Sequence, residues 1–81
     1  MQITVQFFAQ LRDLAGTSEH IVELPDDATV AELLAQLYRD YPSLEKWNDR
    51  ILIGAGVDFV RREHRLQRGE SIAIMPPVQG G

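Results

Sequence analysis

The fold is decided by the stretch TVAELLAQLYRDYP, residues 29–42, which is the clearest helix signal in the chain. Thr29 and Glu32 have the spacing of a capping box, in which a hydroxyl and a carboxylate each bond a backbone N–H group. Apolar side chains then recur every three or four residues, at Val30, Leu33, Leu34, Leu37, Tyr38 and Tyr41. Pro42 ends the pattern. The sequence therefore predicts an amphipathic helix with one buried face.

Two short strands precede this helix. Residues 2–8 alternate between polar and apolar side chains, which predicts a half-buried strand with Phe8 on its outer side. Residues 9–15 have helical spacing, and Gly16 is a suitable residue to end a short helical turn. Residues 19–24 predict a second strand, which we expect to be the hairpin partner of the first.

Strand signals return in the second half of the chain. Residues 51–53 and 57–60 predict two short strands or one bent strand, with Gly54 and Gly56 supplying the bend or turn. Residues 71–75 predict a final strand whose isoleucines face inward. The predicted order is therefore strand, strand, helix and further strands.

One main helix and four or five strands predict an α+β domain in which the helix covers one face of a mixed sheet. This arrangement is the ubiquitin-like β-grasp fold. We expect the domain to span residues 1–75, followed by a flexible, extended tail over residues 76–81. Between the helix and the third strand, residues 43–50 are polar around Trp47, which we interpret as a lid on the core.

The composition argues against several classes of function. A formal net charge of −4, from 12 acidic and 8 basic side chains, gives no broad surface that would hold nucleic acid. The chain has no cysteine, and its two histidines have no neighbouring ligand pattern, so we expect no metal site. No apolar run approaches the roughly 18 residues that span a bilayer, and the first residues do not resemble a signal peptide. We therefore expect a cytoplasmic protein without a membrane partner.

The chemistry is expected in the last six residues, PPVQGG. Pro76 and Pro77 end the preceding strand and favour polyproline II, so six extended residues would reach roughly 20 Å from the domain. Gly80 and Gly81 have no Cβ atom, so a terminal carboxylate would fit a narrow channel in a partner. A frayed terminus is the alternative. The diproline spacer directly after the last strand favours the arm.

A terminal carboxylate needs activation before it transfers or accepts a group. It is ionised at neutral pH and is a poor electrophile. We expect ATP as the activator, since attack on the α-phosphate gives an acyl adenylate that a persulfide or an amine can open. The glycines of this chain form no phosphate-binding loop. The nucleotide is therefore expected to bind a partner enzyme, and this chain is expected to bind no cofactor itself.

Several segments carry a resemblance to a known family. They are FFAQLR at residues 7–12 followed by Leu14 and Gly16, the helix start Thr29-Val30, Leu66 with Gly69-Glu70, and PPVQGG at residues 76–81. Over its full length the chain resembles the small subunits of molybdopterin synthase, and more distantly the thiamine-pathway sulfur carrier and ubiquitin. The Phe-Phe-Ala start combined with the diproline tail resembles the molybdenum-cofactor branch in particular.

The resemblance implies a sulfur carrier that is not an enzyme on its own. Gly81 would be adenylated by an adenylyltransferase of the ubiquitin-activating kind and converted to a thiocarboxylate with a sulfur donor enzyme. It would then enter the large synthase subunit and give its sulfur to cyclic pyranopterin monophosphate, which builds the molybdopterin dithiolene. The implied assembly is a heterotetramer of two large and two small subunits. Gly80 would be the access residue, and the catalytic side chains would lie on the large subunit.

The partner contact is expected on the outer surface near the tail. Strand alternation places Phe8 and Met75 there, and we expect Phe59 beside them. The predicted contact residues are Phe8, Phe59, Met75, Pro76, Pro77 and Val78. Peripheral core is the alternative for the first three.

Other functions would use the same tail. A sulfur carrier of another pathway, such as thiamine synthesis, would share the chemistry of Gly81 and dock on a different acceptor. A protein modifier would form isopeptide bonds through Gly81 to lysines of other proteins. A purely structural interaction domain would tolerate the loss of Gly80 and Gly81.

A basic run follows the fourth strand signal. Its members are Arg61, Arg62, His64, Arg65 and Arg68. They could meet an acidic partner surface, but we interpret the run as a solvated connection that Leu66 anchors.

Overall fold

The protein is described by a computed structural model that covers residues 1–77. In chain order its elements are β1 (Gln2–Phe7), α1 (Ala9–Ala15), β2 (Glu19–Glu23), α2 (Val30–Asp40), a 3₁₀ helix (Pro42–Trp47), β3 (Leu52–Ala55), β4 (Asp58–Phe59) and β5 (Ser71–Met75). Within this range the strands form one mixed sheet in the order β2-β1-β5-β3-β4. The helices described are all too short or too polar to cross a membrane.

The two central strands, β1 and β5, run parallel, and every other neighbouring pair is antiparallel. The antiparallel pairing of β1 with β2 confirms the predicted hairpin. Parallel pairing places Val5 beside Ile72 and Phe7 beside Ile74, so the inward side chains of both strands meet. The last strand therefore lies in the middle of the sheet.

The core lies between α2 and the inner face of the sheet. Leu33 and Leu37 of α2 are fully buried, as are Ile3, Val5 and Ile72 of the central strands. Burying a side chain of this size stabilises a fold by about 1.5–3 kcal/mol relative to leaving it exposed. One main helix packed on one face of a mixed sheet confirms the predicted β-grasp architecture.

The start of α2 has the predicted capping box. The Glu32 N–H donates to Thr29 Oγ1, and the Thr29 N–H donates to Glu32 Oε1, with a donor–acceptor distance of 3.4 Å in both hydrogen bonds. The Val30 N–H donates to the carbonyl oxygen of His64 at 3.0 Å, so the loop before β5 also caps this helix. The helix ends just before Pro42, as its sequence pattern predicts.

The connection after α2 differs from the prediction. Residues 43–50 were expected to be polar around Trp47, yet most of the segment lies in the 3₁₀ helix and Leu44 is fully buried. A single leucine among polar residues shows no hydrophobic periodicity, so the sequence did not predict its burial. Leu44 is buried because the 3₁₀ helix packs against α1 and α2. Trp47 is half-buried and packs on the core, which agrees with its interpretation as a lid.

Residues 51–60 form two strands joined by a turn, so the alternative of one bent strand is wrong. Gly56 lies in this turn with a φ of 64°. Gly16 ends α1 in the left-handed conformation, with a φ of 77°, as its position predicted. Both positions suit glycine because other residues rarely adopt such backbone angles.

Candidate functional site

The outer face of the sheet has a depression at its centre, where the side chains are small. The register pairs Gln6 with Ala73, Ala73 with Gly54, and Gly54 with Phe59, so these residues form one row across four strands. Alternate residues of a strand share a face, so Met75 lies on the same side as Ala73. The two middle positions of the row carry only a methyl group and a hydrogen atom. A depression therefore forms between the flanking aromatic side chains.

This depression is an open groove of about 340 Å³, which we call the apolar groove. Phe8, Val57 and Phe59 stand along it with 44%, 100% and 70% of their surface exposed, while Gly54 and Ala73 form its floor. Exposed apolar side chains gathered beside one another are typical of a contact surface. The groove is therefore a candidate contact surface for another protein chain.

Gly54 sets the depth of the groove for a spatial reason. It is buried and does not have a positive φ, so no backbone conformation requires glycine here. A Cβ atom added at Gly54 would lie 3.3 Å from Met75 Cε and 3.8 Å from Ala73 Cβ. The Met75 side chain therefore lies across Gly54. Its flexible thioether can adapt to a contacting surface.

The predicted tail leaves the sheet beside this groove. Because β1 and β5 are parallel, Phe8 and Pro76 follow their strands at the same end, and the Phe8 N–H donates to Ile74 O at 3.2 Å. Pro76 and Pro77 are half-buried. Val78, Gly80 and Gly81 lie outside the described residues. Their roles, like the division between residues 1–75 and 76–81, stay predictions.

The structure brings three predicted contact residues together. Phe8, Phe59 and Met75 all line the apolar groove, and their role in partner binding stays a prediction. Sequence reasoning missed Val57, although its position two residues before Phe59 is the spacing of side chains on one face of a strand. It also missed the floor of the groove, which depends on the register of three strands.

The basic run after β4 is partly engaged within the domain. Three of its members bond to loop residues of the domain, in the pairs Arg62–Asn48, His64–Glu70 and Arg68–Asp26. The His64 and Arg68 contacts span 3.2 Å and 3.0 Å between nitrogen and carboxylate oxygen. Arg61 and Arg65 are exposed. The three contacts tie the connection to the domain, while the exposure of Arg61 and Arg65 and the burial of Leu66 agree with the interpretation of the run as a solvated connection that Leu66 anchors.

The Tyr38 hydroxyl, away from the groove, has a shifted pKa. Burial raises the pKa of the Tyr38 hydroxyl above its usual value, and the nearby Arg62 guanidinium opposes this shift in pKa. That hydroxyl donates to Asn48 Oδ1 at 2.7 Å on the helical side of the domain. Among residues 1–77 no group of three or more histidine, cysteine, aspartate or glutamate side chains could hold a metal ion.

Comparison with known proteins bears on the family of this chain. The ThiS family model matches residues 5–81. The chain belongs to the ThiS family. A relative from Chlamydomonas reinhardtii is 36% identical over the whole of both chains and is named molybdopterin synthase sulfur carrier subunit. The resemblance drawn from the sequence is therefore confirmed.

Solved structures support the fold of this ThiS-family chain. SAMP1 from Haloferax volcanii, a small archaeal modifier protein, has a TM-score of 0.89 and 27% identity, with full coverage of both chains. A chain from the complex of subunits 1 and 2 of the molybdopterin-converting factor from Helicobacter pylori has a TM-score of 0.69 and 21% identity, again with full coverage of both. At that identity the second likeness concerns the fold alone.

Proposed function

We propose that this ThiS-family chain is the sulfur carrier subunit of a molybdopterin synthase. The observation that carries the proposal is the full-length similarity to a relative with that name, at 36% identity. The family match continues through Gly81, the residue to which we assign the chemistry. The use of ATP by a partner enzyme fits the cytoplasmic location that the sequence led us to expect.

The first stage loads sulfur onto Gly81. A carboxylate oxygen of Gly81 attacks the α-phosphate of ATP on a partner adenylyltransferase, pyrophosphate leaves, and an acyl adenylate forms. A persulfide sulfur on the donor enzyme then attacks the acyl carbon, and AMP leaves. A second thiol splits the resulting acyl disulfide and releases the thiocarboxylate. The family resemblance assigns Gly81 as the sulfur-bearing group, and the lack of cysteine in the chain agrees with this assignment.

The second stage delivers the sulfur. The tail enters the large subunit, with Gly80 narrow enough to pass its channel. The thiocarboxylate sulfur attacks a side-chain carbon of cyclic pyranopterin monophosphate and displaces the oxygen substituent of that carbon, which leaves with the bonding electron pair and takes up a proton. Water then cleaves the acyl–sulfur bond, which leaves one dithiolene sulfur on the pterin and returns Gly81 to a carboxylate. The catalytic side chains belong to the large subunit in this proposal. The assembly is a heterotetramer of two large and two small subunits.

The apolar groove supports docking by its position. Phe8, Phe59 and Met75 lie beside the strand end from which the tail departs, so a partner seated there would receive the tail. Pro76, Pro77 and Val78 would extend this contact along the arm. Interface cores are enriched in aromatic residues and methionine, which are the types found here.

The experiment that tests the proposal is intact-mass spectrometry after incubation with ATP, the adenylyltransferase and a sulfur donor. We expect a mass gain equal to the difference between sulfur and oxygen, and no gain in a chain that lacks Gly81. Adding the large subunit and cyclic pyranopterin monophosphate should then yield molybdopterin. An unchanged mass while the adenylyltransferase is demonstrably active would refute the sulfur-carrier function. Sulfur loading without molybdopterin formation would instead favour a carrier for another pathway, such as thiamine synthesis.

A second candidate function is protein modification through Gly81. The observation that favours it is the likeness to SAMP1 at 27% identity and a TM-score of 0.89. It predicts conjugates in which Gly81 is joined to lysines of other proteins. Tagged chain expressed in its own cells, followed by detection of conjugates that disappear when Gly81 is deleted, would support this function.

A further inference from the structure

β2 is the longer of the two strands at the edges of the sheet, with five residues against two in β4. The Leu24 N–H, just after β2, donates to Met1 O at 2.9 Å. The Thr4 N–H, opposite Ile21, points away from β2 and donates to Glu70 O at 3.2 Å. Residues of an antiparallel strand turn their backbone N–H and C=O groups alternately toward the partner strand and away from it. The residues of β2 that turn these groups toward the free edge are therefore Glu19, Ile21 and Glu23.

The open part of this edge is short. Thr17 Oγ1 donates to Glu19 O at 2.9 Å and accepts from the Glu19 N–H at 3.4 Å, so one hydroxyl occupies both edge groups of that residue. Beyond Glu23 the next edge position is Pro25, which has no N–H. Among residues 1–77, no backbone group from outside the sheet bonds the N–H or C=O of Ile21 or Glu23. The edge therefore keeps two N–H and two C=O groups that an added strand can bond.

The side chains of the three edge residues form one row on the outer face. Ile21 is 57% exposed, and Glu19 and Glu23 on either side of it are exposed. Their register partners on β1 are two glutamines and a threonine, and one of these, Gln2, donates from Nε2 to Glu23 Oε1 at 2.9 Å. No ion pair among residues 1–77 includes either carboxylate. The row is thus an exposed apolar side chain between two uncompensated negative charges.

A second copy of this chain is a poor occupant of the edge. Antiparallel pairing of two β2 strands about Ile21 would place Glu19 of each copy opposite Glu23 of the other. Like charges directly opposite each other destabilise a strand pair. A strand with basic side chains at those two positions would instead form two pairs of opposite charge. The charges therefore select a basic strand from another protein.

We propose that the free edge of β2 is a docking site for an extended strand of a partner protein, in which two basic residues flank an apolar residue at alternate positions. The apolar side chain lies opposite Ile21, and the basic side chains pair with Glu19 and Glu23. Backbone hydrogen bonds supply affinity in such strand addition, and the alternate side chains supply selectivity. The positions between them face α2, where His20 Nε2 lies 3.1 Å from Asp40 Oδ2, so they suit small polar residues.

This site is separate from the apolar groove. The strand order places β2 and β4 at opposite edges of the sheet, four strand spacings of about 4.8 Å apart, or roughly 19 Å. No residue of β2 lines the groove. The chain can therefore hold one partner in the groove and a second at β2, and the β2 site does not depend on the proposed function.

The test uses the peptide acetyl-Thr-Arg-Thr-Ile-Thr-Arg-Thr-amide, whose sequence is the same in both directions and so suits either strand orientation. Amide hydrogen exchange of the full chain is followed by NMR. At about 1 mM peptide, exchange at the Ile21 and Glu23 N–H groups should slow by at least about 10-fold, which corresponds to a Kd of about 0.1 mM. The Val22 N–H, which faces β1, should be unaffected. No slowing at Ile21 and Glu23 would overturn the inference and would mean that the carboxylates only keep copies of the chain apart.

The charge requirement is tested by reversing it. A control peptide with glutamate in place of both arginines should bind at least about 10-fold more weakly. Glu19→Lys combined with Glu23→Lys should exchange this preference. Glu19→Gln combined with Glu23→Gln should bind the two peptides equally, and it replaces the lysine pair if that variant fails to fold. Equal binding of both peptides by the unaltered chain would contradict the role of the carboxylates.

Two single variants test where the peptide lies. Ile21→Pro removes an edge N–H that β1 does not use, so the chain should keep its circular dichroism spectrum and lose the protection at Glu23. Phe59→Ala, in the groove, should bind the peptide as the unaltered chain does. Changes at the Gly54 and Ala73 amides, without changes in β2, would place the peptide in the groove and overturn the inference.

Discussion

The inner and outer faces of the sheet both carry apolar residues but expose them differently. On the inner face Ile3 and Ile72 are fully buried beneath α2. On the outer face Phe8 and Phe59 keep 44% and 70% of their surface exposed around a floor of glycine and alanine. The inner apolar residues have already gained the free energy of burial in the isolated chain. Those of the outer face can gain it only when a partner covers them.

The largest expected effect is on the inner face. Leu33→Ala should lower the free energy of unfolding by about 2–5 kcal/mol, because it removes buried methyl groups and leaves a cavity under the sheet. Urea denaturation followed by circular dichroism measures this change. A loss below about 1 kcal/mol would contradict the placement of Leu33 at the centre of the core.

On the outer face, Phe59→Ala should weaken binding of the large subunit by at least about 30-fold, which corresponds to about 2 kcal/mol for a central contact residue. Its free energy of unfolding should change by less than about 0.5 kcal/mol, because the ring is mostly exposed in the free chain. Isothermal titration calorimetry measures the affinity.

Ile21→Ala is the matched control for this comparison. Ile21 lies on the same face in β2, outside the apolar groove, and is 57% exposed. Its replacement should leave the affinity unchanged. Equal losses from Phe59→Ala and Ile21→Ala would mean that the whole face, and not the groove, binds the partner.

A smaller effect is expected at the start of α2. Thr29→Ala should cost about 1 kcal/mol of stability, because the Glu32 N–H loses its side-chain acceptor. Affinity for the large subunit should stay constant, since α2 packs on the inner face. Thermal unfolding combined with the same titration distinguishes the two quantities, and a changed affinity would show that the faces are coupled.

Small effects on both stability and binding are expected at the floor of the groove. Gly54→Ala places a methyl group 3.3 Å from Met75 Cε, and the flexible methionine should move aside with a cost within about 0.5 kcal/mol. The displaced side chain should partly fill the groove and reduce partner affinity by several-fold. A variant that unfolds would indicate that Gly54 belongs to the core. The outer face would then contribute to stability as well as to partner binding.

The sequence was sufficient for elements whose signals are local. The capping box of Thr29 with Glu32 and the helical spacing after it predict both ends of α2, and alternation in residues 2–8 predicts which side of β1 is buried. Phe8 could be placed outside for the same reason. In each case, neighbouring residues within one element contain the whole signal.

The remaining features depend on contacts between distant segments. The burial of Leu44 follows from packing of the 3₁₀ helix on α1 and α2. No hydrophobic periodicity within the segment indicates this packing. The apolar groove needs the register that aligns Ala73, Gly54 and Phe59. Strand signals alone do not determine a register between β3, β4 and β5. The aromatic walls could therefore be predicted, but the floor between them could not.

The central position of β5 also determines when this chain can fold during synthesis. Until β5 has been synthesised, one edge of β1 and one edge of β3 lack a neighbouring strand. A nascent chain therefore cannot complete its sheet before residue 75 has left the ribosome, because the non-local pairing of β1 with β5 closes it. A chain cut short would keep open strand edges that invite aggregation.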